Sequence, residues 1–469
     1  MSPRIHTMKT ALTITTVAVA ALISACSSMA PKYERPDAPV AGAWAYPGAG
    51  TGTAAADLDW QNFFGDARLK QLIASALRNN RDLRIAMLNI EQARAQYDIR
   101  SADRLPTVGV QANGSRTPGA NGSTTTVYTA GLAISAWEID LFGRIASLSD
   151  AALAQYFASE EGRKAAQTSL IASVATTYLA LVADEELLEV TRQTLVGRQD
   201  SLRLTKLRFD NGAASELDFR QAQSLYESAR VASAQQQRQR AVDLDTLALL
   251  VGEPIAPDYR AGVTSDSISL PDLPAATPSD VLVRRPDVRQ AEQQLIAANA
   301  NIGAARAAFF PRISLTAGIG SASTQLSGLF KGGSWGFTVA PSLLLPIFDA
   351  GRNAAGLRSA NVSRDLAIAQ YEKAIQSAFR EVADALAGRA TLGEQLQAQR
   401  NVVEAETVRM RLSQLRYDNG VSSYLDLLDA QRSLFAAQQA LIQTRVAQLQ
   451  NQVQLYRALG GGWSEAPRP

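Results

Sequence analysis

The 469-residue chain has one histidine, His6, and one cysteine, Cys26, both near its start. Beyond them there is no imidazole and no thiol. Metal centres built on His and Cys, cysteine nucleophiles and Ser-His-Asp triads are excluded together. Carboxylate-only chemistry stays open, but no convergent acid pair and no glycine-rich phosphate loop can be read. The formal net charge is only +2, so no basic face points to nucleic acid and no acidic tail to a basic partner. Past the first thirty residues, no run of about twenty consecutive apolar residues offers a membrane-spanning helix. Of the five methionines only Met29, Met87 and Met410 lie beyond the first 26 residues, which gives no hint of a soft-metal relay for copper or silver. No cofactor is expected, and the chain does not read as an enzyme.

What is present begins with MSPRIHTMKTALTITTVAVAALISACSS. Arg4 and Lys9 precede a short apolar run from Ala11 to Ala25, the layout of a secretory signal. Ile23-Ser24-Ala25-Cys26 resembles the lipobox of bacterial lipoproteins, which implies cleavage after residue 25 and a covalent lipid on Cys26. Several acyl chains on one residue anchor stably where one would not. Ser27, rather than Asp, points to the outer membrane. The Pro/Gly/Ala-rich residues that follow suggest an extended arm over 26–66.

The body of the chain is written twice. LRFDNGAASELDF at 207–219 matches LRYDNGVSSYLDL at 415–427, an offset of 208. Gly143-Arg144 and Gly351-Arg352 keep that offset, and Pro106 pairs with Pro311. The expectation is a duplicated domain, 67–251 and 279–463, joined by a Pro-rich linker at 252–278 and followed by a tail at 464–469.

Each copy opens with an Ala/Gln/Arg-rich helical stretch that a proline stops. Two alternating runs follow, giving expected strands at about 106–116 and 127–141, then 311–323 and 334–347. Tyr128, Ala130, Leu132, Ile134 and Ala136 oppose Thr129, Gly131, Ala133 and Ser135. Ile313, Leu315, Ala317 and Ile319 oppose Ser314, Thr316, Gly318 and Gly320. Trp335, Phe337, Val339 and Leu343 oppose Gly336, Thr338 and Ser342. One apolar face against one small or polar face is the pattern of transmembrane β-strands, and also of a half-buried soluble sheet. In lipid, four strands cannot close on themselves and an open edge is forbidden, so a membrane reading demands an oligomer.

Long helical stretches follow from Gly143 to Phe209 and from Gly351 to Tyr417, on the order of 100 Å each. Val174, Leu181, Leu188, Leu195, Leu202 and Phe209 recur at sevens. Val382, Leu396, Val403, Met410 and Tyr417 answer them, interrupted by Arg389. This heptad with abundant Ala suggests close-packed coiled coil. Asn211-Gly212 and Asn419-Gly420 then supply the left-handed residue of a helix stop. Ser215 with Asp218, and Ser423 with Asp426, have capping-box spacing. Residues 209–216 and 417–424 are therefore expected as tips of αα-hairpins, with the two aspartates as caps rather than catalytic acids.

PSDVLVRRPDVRQAEQQLIAANANIGAARAAFFPRISL (278–315) and RYDNGVSSYLDLLDAQRSLFAAQQALI (416–442) resemble the outer-membrane efflux factors. These are the TolC-like channels of tripartite pumps, here in their OprM-type lipoprotein branch. The resemblance runs from about Pro31 to Trp463. It implies a mixed fold: a homotrimer in which each subunit adds four strands to one twelve-stranded membrane β-barrel, continued by a long α-helical barrel into the periplasm. It implies a periplasmic adaptor meeting tip residues Asn211, Gly212, Ala213, Asn419, Gly420 and Val421, and an inner-membrane pump of the resistance-nodulation-division type. By the YLDLLDAQR motif it places the periplasmic gate at Leu425, Asp429 and Arg432. Leu425 and Asp429 share a helix face, and Asp429 stands where the first copy has Gln221. Three copies of Asp429 would form a cation-selective ring; the alternative is a solvated pair with Arg432. The implied function is an exit duct for drugs or other small molecules. A duct for protein secretion and a lipid-anchored coiled-coil spacer are the alternatives.

Overall fold

The computed structural model describes residues 28–46, 54–119, 122–256, 263–275 and 284–463. The expected signal segment, Cys26, the tail 464–469 and part of the expected linker lie outside these residues. The main elements are α1 (Ala67–Asn79), α2 (Arg81–Ala102), β1 (Val108–Pro118), β2 (Thr124–Ile139), α3 (Arg144–Asp210) and α4 (Glu216–Val251). They are followed by α5 (Pro286–Ala307), β3 (Arg312–Ser323), β4 (Trp335–Leu344), α6 (Arg352–Asp418) and α7 (Tyr424–Ala458). From α2 in the first half and from α5 in the second, the same order follows: a helix, two strands, a long helix and a closing helix. The compact units do not follow the halves: each unit draws segments from both copies.

One unit comprises Met1–Ala38, Asn89–Glu160 and Gln290–Lys373. Its centre is a four-stranded sheet in the order β1-β2-β3-β4, antiparallel throughout. The middle pairing, β2 with β3, joins a strand of one copy to a strand of the other. Gly131 and Gly320 face each other across that seam. A Cβ on Gly131 would lie 2.5 Å from the Gly320 Cα, so only glycine fits. The N-terminal arm is extended here and tied down by polar contacts. Arg35 reaches Glu292 with Nε at 2.7 Å and Nη2 at 2.9 Å, and Tyr33 donates to the same carboxylate at 3.0 Å. Glu292 and burial together push the Tyr33 hydroxyl well above the usual tyrosine range, burial first.

The other unit comprises Pro39–Leu88, Glu161–Arg289 and Ala374–Pro469. Its core gathers Phe63, Leu69, Ile73, Val174, Tyr178, Leu247, Val382, Val453 and Tyr456. Phe63 stacks on Tyr456 with ring centroids 4.0 Å apart. Of the heptad residues, Val174, Leu181 and Val382 join this core; Leu188 and Leu396 are buried as well, and Leu195, Leu202, Phe209, Val403, Met410 and Tyr417 are half-buried, with Leu202, Met410 and Tyr417 packing on a second cluster around Tyr424 and Leu427. Arg389 breaks the heptad because its guanidinium reaches out, to Asp272 at 2.7 Å and to the Leu273 carbonyl. One window of α3 is apolar and long enough to cross a membrane by composition, and 56% of it is buried within the fold.

Candidate functional site

The first candidate site is the sheet. Its register aligns one apolar face: Val108 and Val110 of β1, Leu132 and Ile134 of β2, Ala317 and Ile319 of β3, Phe337 and Val339 of β4. Gln111, Asn113, Thr129, Gly131, Gly318, Gly320 and Thr338 stand on the other. The apolar face is bare. Val110 is 84% and Phe337 82% exposed, although Val, Phe and Ile are residues that folded chains usually bury.

The alternation expected through Ala136 does not continue. A bulge between Ile134 and Trp137 sets two residues, Ser135 and Ala136, against one, Thr316. Ala136 takes φ 48° and its N–H is accepted by the Thr316 hydroxyl at 3.2 Å. The bulge moves Trp137 and Ile139 onto the apolar face, opposite Leu315 and Ile313. A simple count of twos places Trp137 on the wrong side, because the extra residue is invisible to periodicity. Among the described residues, β1 and β4 pair on one side only, leaving two open edges. Pro341 sits in the edge strand β4, where a missing N–H is tolerated.

The second candidate site is the pair of hairpin tips, α3–α4 and α6–α7. Both turn in the same way. Gly212 and Gly420 each adopt φ 72°. In the first tip Ala213 N–H reaches the Arg208 carbonyl at 2.8 Å and Gly212 N–H the Phe209 carbonyl at 2.9 Å, a Schellman stop. Val421 and Gly420 repeat it on Arg416 and Tyr417. The side chains of Asn211 and Asn419 donate back to the Leu207 and Leu415 carbonyls at 2.7 Å. The next helices start in capping boxes. Ser215 Oγ accepts from Asp218 N at 3.1 Å while Asp218 accepts from Ser215 N at 3.3 Å. Ser423 and Asp426 do the same at 3.3 and 3.2 Å. The tips are also locked to each other. Tyr424, Leu427 and Leu428 bury against Ala222, and Arg208 donates to the Tyr417 hydroxyl at 2.8 Å.

The tip residues Asn211, Gly212, Ala213, Asn419, Gly420 and Val421 are exposed. Leu425 is also exposed, one helical turn before Asp429. Asp429 is engaged chiefly by a residue that neither sequence reading named: Arg409 of α6 holds it in a short ion pair, and Arg432 stands at 3.8 Å. The same Arg409 guanidinium contacts Glu406 at 3.1 Å and Ser433 at 3.3 Å. Its hydrogen bond to Asp429, with the Glu406 charge, raises the Arg409 pKa. The repeat held the signal for this pair. Arg409 and Asp429 both break it, since the first copy has Ser201 and Gln221 at the matching positions. Two neighbouring exceptions to one repeat are what a new contact requires.

The geometry meets its counterparts in known proteins. A family profile described as outer membrane efflux protein matches residues 72–253 and again 277–461. The antibiotic efflux pump outer membrane protein ArpC of Pseudomonas putida is 47% identical over 461 residues, covering 96% of this chain and 95% of that protein. The toluene efflux pump outer membrane protein TtgC, also of Pseudomonas putida, shows the same identity and coverage. Among solved structures, the open state of the Neisseria gonorrhoeae MtrE outer membrane channel superposes with a TM-score of 0.86 at 41% identity. It covers 94% of this chain and 100% of that one.

Proposed function

The chain belongs to the outer membrane efflux protein family and acts as the outer-membrane channel of an efflux pump, and from that premise we propose how its parts divide the work. The observation that carries the reading is a four-stranded sheet with one bare apolar face and two open edges. No lipid-facing sheet can leave edge N–H and C=O groups unpaired. Three subunits joined β4 to β1 satisfy every edge and close twelve strands, with the apolar face to lipid and the small polar face to the lumen. The long helices α3 and α6 carry the duct through the periplasm toward an adaptor and an inner-membrane pump of the resistance-nodulation-division type. Cys26 carries the lipid anchor, and the arm leaves it along the outer surface of the trimer. The adaptor reads the exposed turns at Asn211–Ala213 and Asn419–Val421. The cargo is a set of small molecules chosen by the pump, including antibiotics and apolar solvents, and the chain needs no cofactor and catalyses no reaction.

Leu425, Asp429 and Arg432 form the periplasmic constriction. With Arg409 holding Asp429 from the side, the acid of each subunit is braced rather than free, and this favours a closed resting state. Conductance of the purified protein in a planar bilayer tests the assignment, with wild type beside Leu425→Ala/Asp429→Ala. A small wild-type current that rises in the variant supports a gate at the second tip. Equal and large currents would remove the gate from these residues. Silence from both, with trimer and insertion verified, would overturn the duct itself.

A further inference from the structure

The loop between β3 and β4, residues 324–334, has no role in the duct as described. It folds back onto the sheet. Ser321 and Ser323 of β3 pair with Ala130 and Tyr128 of β2, so both side chains stand on the apolar face. The loop lies over these two side chains. A Cβ on Gly328, at the end of a short 3-10 turn, would come within 2.6 Å of Ser323 Oγ. One residue on, the Leu329 carbonyl accepts from the Ser321 hydroxyl, and Ser334 Oγ stands 2.6 Å from Ser321 Oγ. Successive loop residues thus meet rungs further back down the strand. Leu329 and Ser321 are buried by this contact. Leu326, Phe330 and Trp335 stay bare, at 66%, 71% and 64% exposure.

A serine on a lipid-facing strand leaves its hydroxyl without water, which is costly unless a partner is found. Here the loop supplies that partner from its own backbone. Depth decides whether lipid reaches the loop. From Ile313 to Ser321, β3 climbs about 26 Å along the strand and, at a tilt near 40°, about 20 Å in height. The lipid-facing band of a membrane barrel is about 25 Å tall, so the loop rests at its upper margin. The bare patch is also continuous with that band, because Phe337 and Val339 are the next positions after Trp335 on the same face of β4. On the reading that this face meets lipid, we propose that the β3–β4 loop anchors the barrel rim, with Leu326, Phe330 and Trp335 among the acyl chains of the outer leaflet. Lys331 follows Phe330, and its stem is long enough to carry the ammonium to headgroup oxygens. A loop folded outward in this way is not available to cover the mouth of the duct.

The test places p-benzoylphenylalanine, a photo-cross-linker close to phenylalanine in shape, at Phe330 of the full chain in phosphatidylcholine vesicles with tritiated acyl chains. The same probe at Phe337 marks the lipid face, and at Thr338 the opposite face. Irradiation should attach lipid at Phe330 to an extent comparable with Phe337 and several-fold above Thr338. Leu326 serves as a second loop position if the Phe330 variant does not assemble. Lipid adducts at Phe337 but at neither loop position would overturn the anchor and leave the barrel standing. Subunit–subunit adducts in place of lipid at Phe330 would also overturn it, since the patch would then belong to the neighbouring subunit. No lipid adduct at Phe337 would overturn the lipid face itself, and the anchor with it.

Discussion

Gly212 and Gly420 allow a controlled comparison. Both sit at φ 72°, and a Cβ built on either meets nothing within 4 Å. Substitution by alanine therefore adds no clash and no lost contact; the cost is only that of a left-handed L-residue, about 1–2 kcal/mol. That energy weakens the Schellman stop and raises the local opening of the tip by about 5–30-fold. Amide exchange over 207–219 in Gly212→Ala and over 415–427 in Gly420→Ala should accelerate to a similar degree. Conductance should respond unequally. If the second tip carries the constriction, Gly420→Ala raises the resting current, while Gly212→Ala leaves it near wild type. Unchanged exchange in both variants would refute the backbone argument. Accelerated exchange with equal currents would refute the division of roles between the two copies.

Three further outcomes follow from the packing. Gly131→Val drives its side chain into the β3 backbone at the seam between the copies. The proposed trimer should fail to form, read as loss of the oligomer in detergent by size-exclusion with light scattering, while far-ultraviolet dichroism keeps most of its helical signal. Phe63→Ala removes a fully buried ring stacked on Tyr456, at a cost of about 3–5 kcal/mol, read as a lower chemical-denaturation midpoint. Asp184 is buried on α3, and burial, then Asp243 of α4, raise its pKa to about 7; Glu185 adds to this and Arg240 opposes it. The folded state thus keeps a proton that an unfolded aspartate releases near pH 4. Stability contributed by this group is full below about pH 4 and is lost as pH rises towards 7. The unfolding midpoint should fall over that window in wild type, and Asp184→Asn should flatten the fall and gain most at pH 8.

Much of this protein was determined by local sequence alone. Periodicity of seven marks helix faces, alternation marks strands, and Asn-Gly followed by Ser-x-x-Asp marks a stop and a restart, because each pattern acts within a few bonds of the chain. The duplication is legible for the same reason: it is a comparison of the chain with itself. Only the tertiary structure decided which strand of one copy meets which strand of the other. The bulge at Ser135-Ala136, which turns Trp137 to the apolar face, was likewise out of reach of a count of twos. The partners of the charged tip residues were also settled in space. Asp429 is held by Arg409 from another helix. Such pairings depend on residues distant in the chain being brought within a few ångströms, and no period in a single sequence encodes that distance.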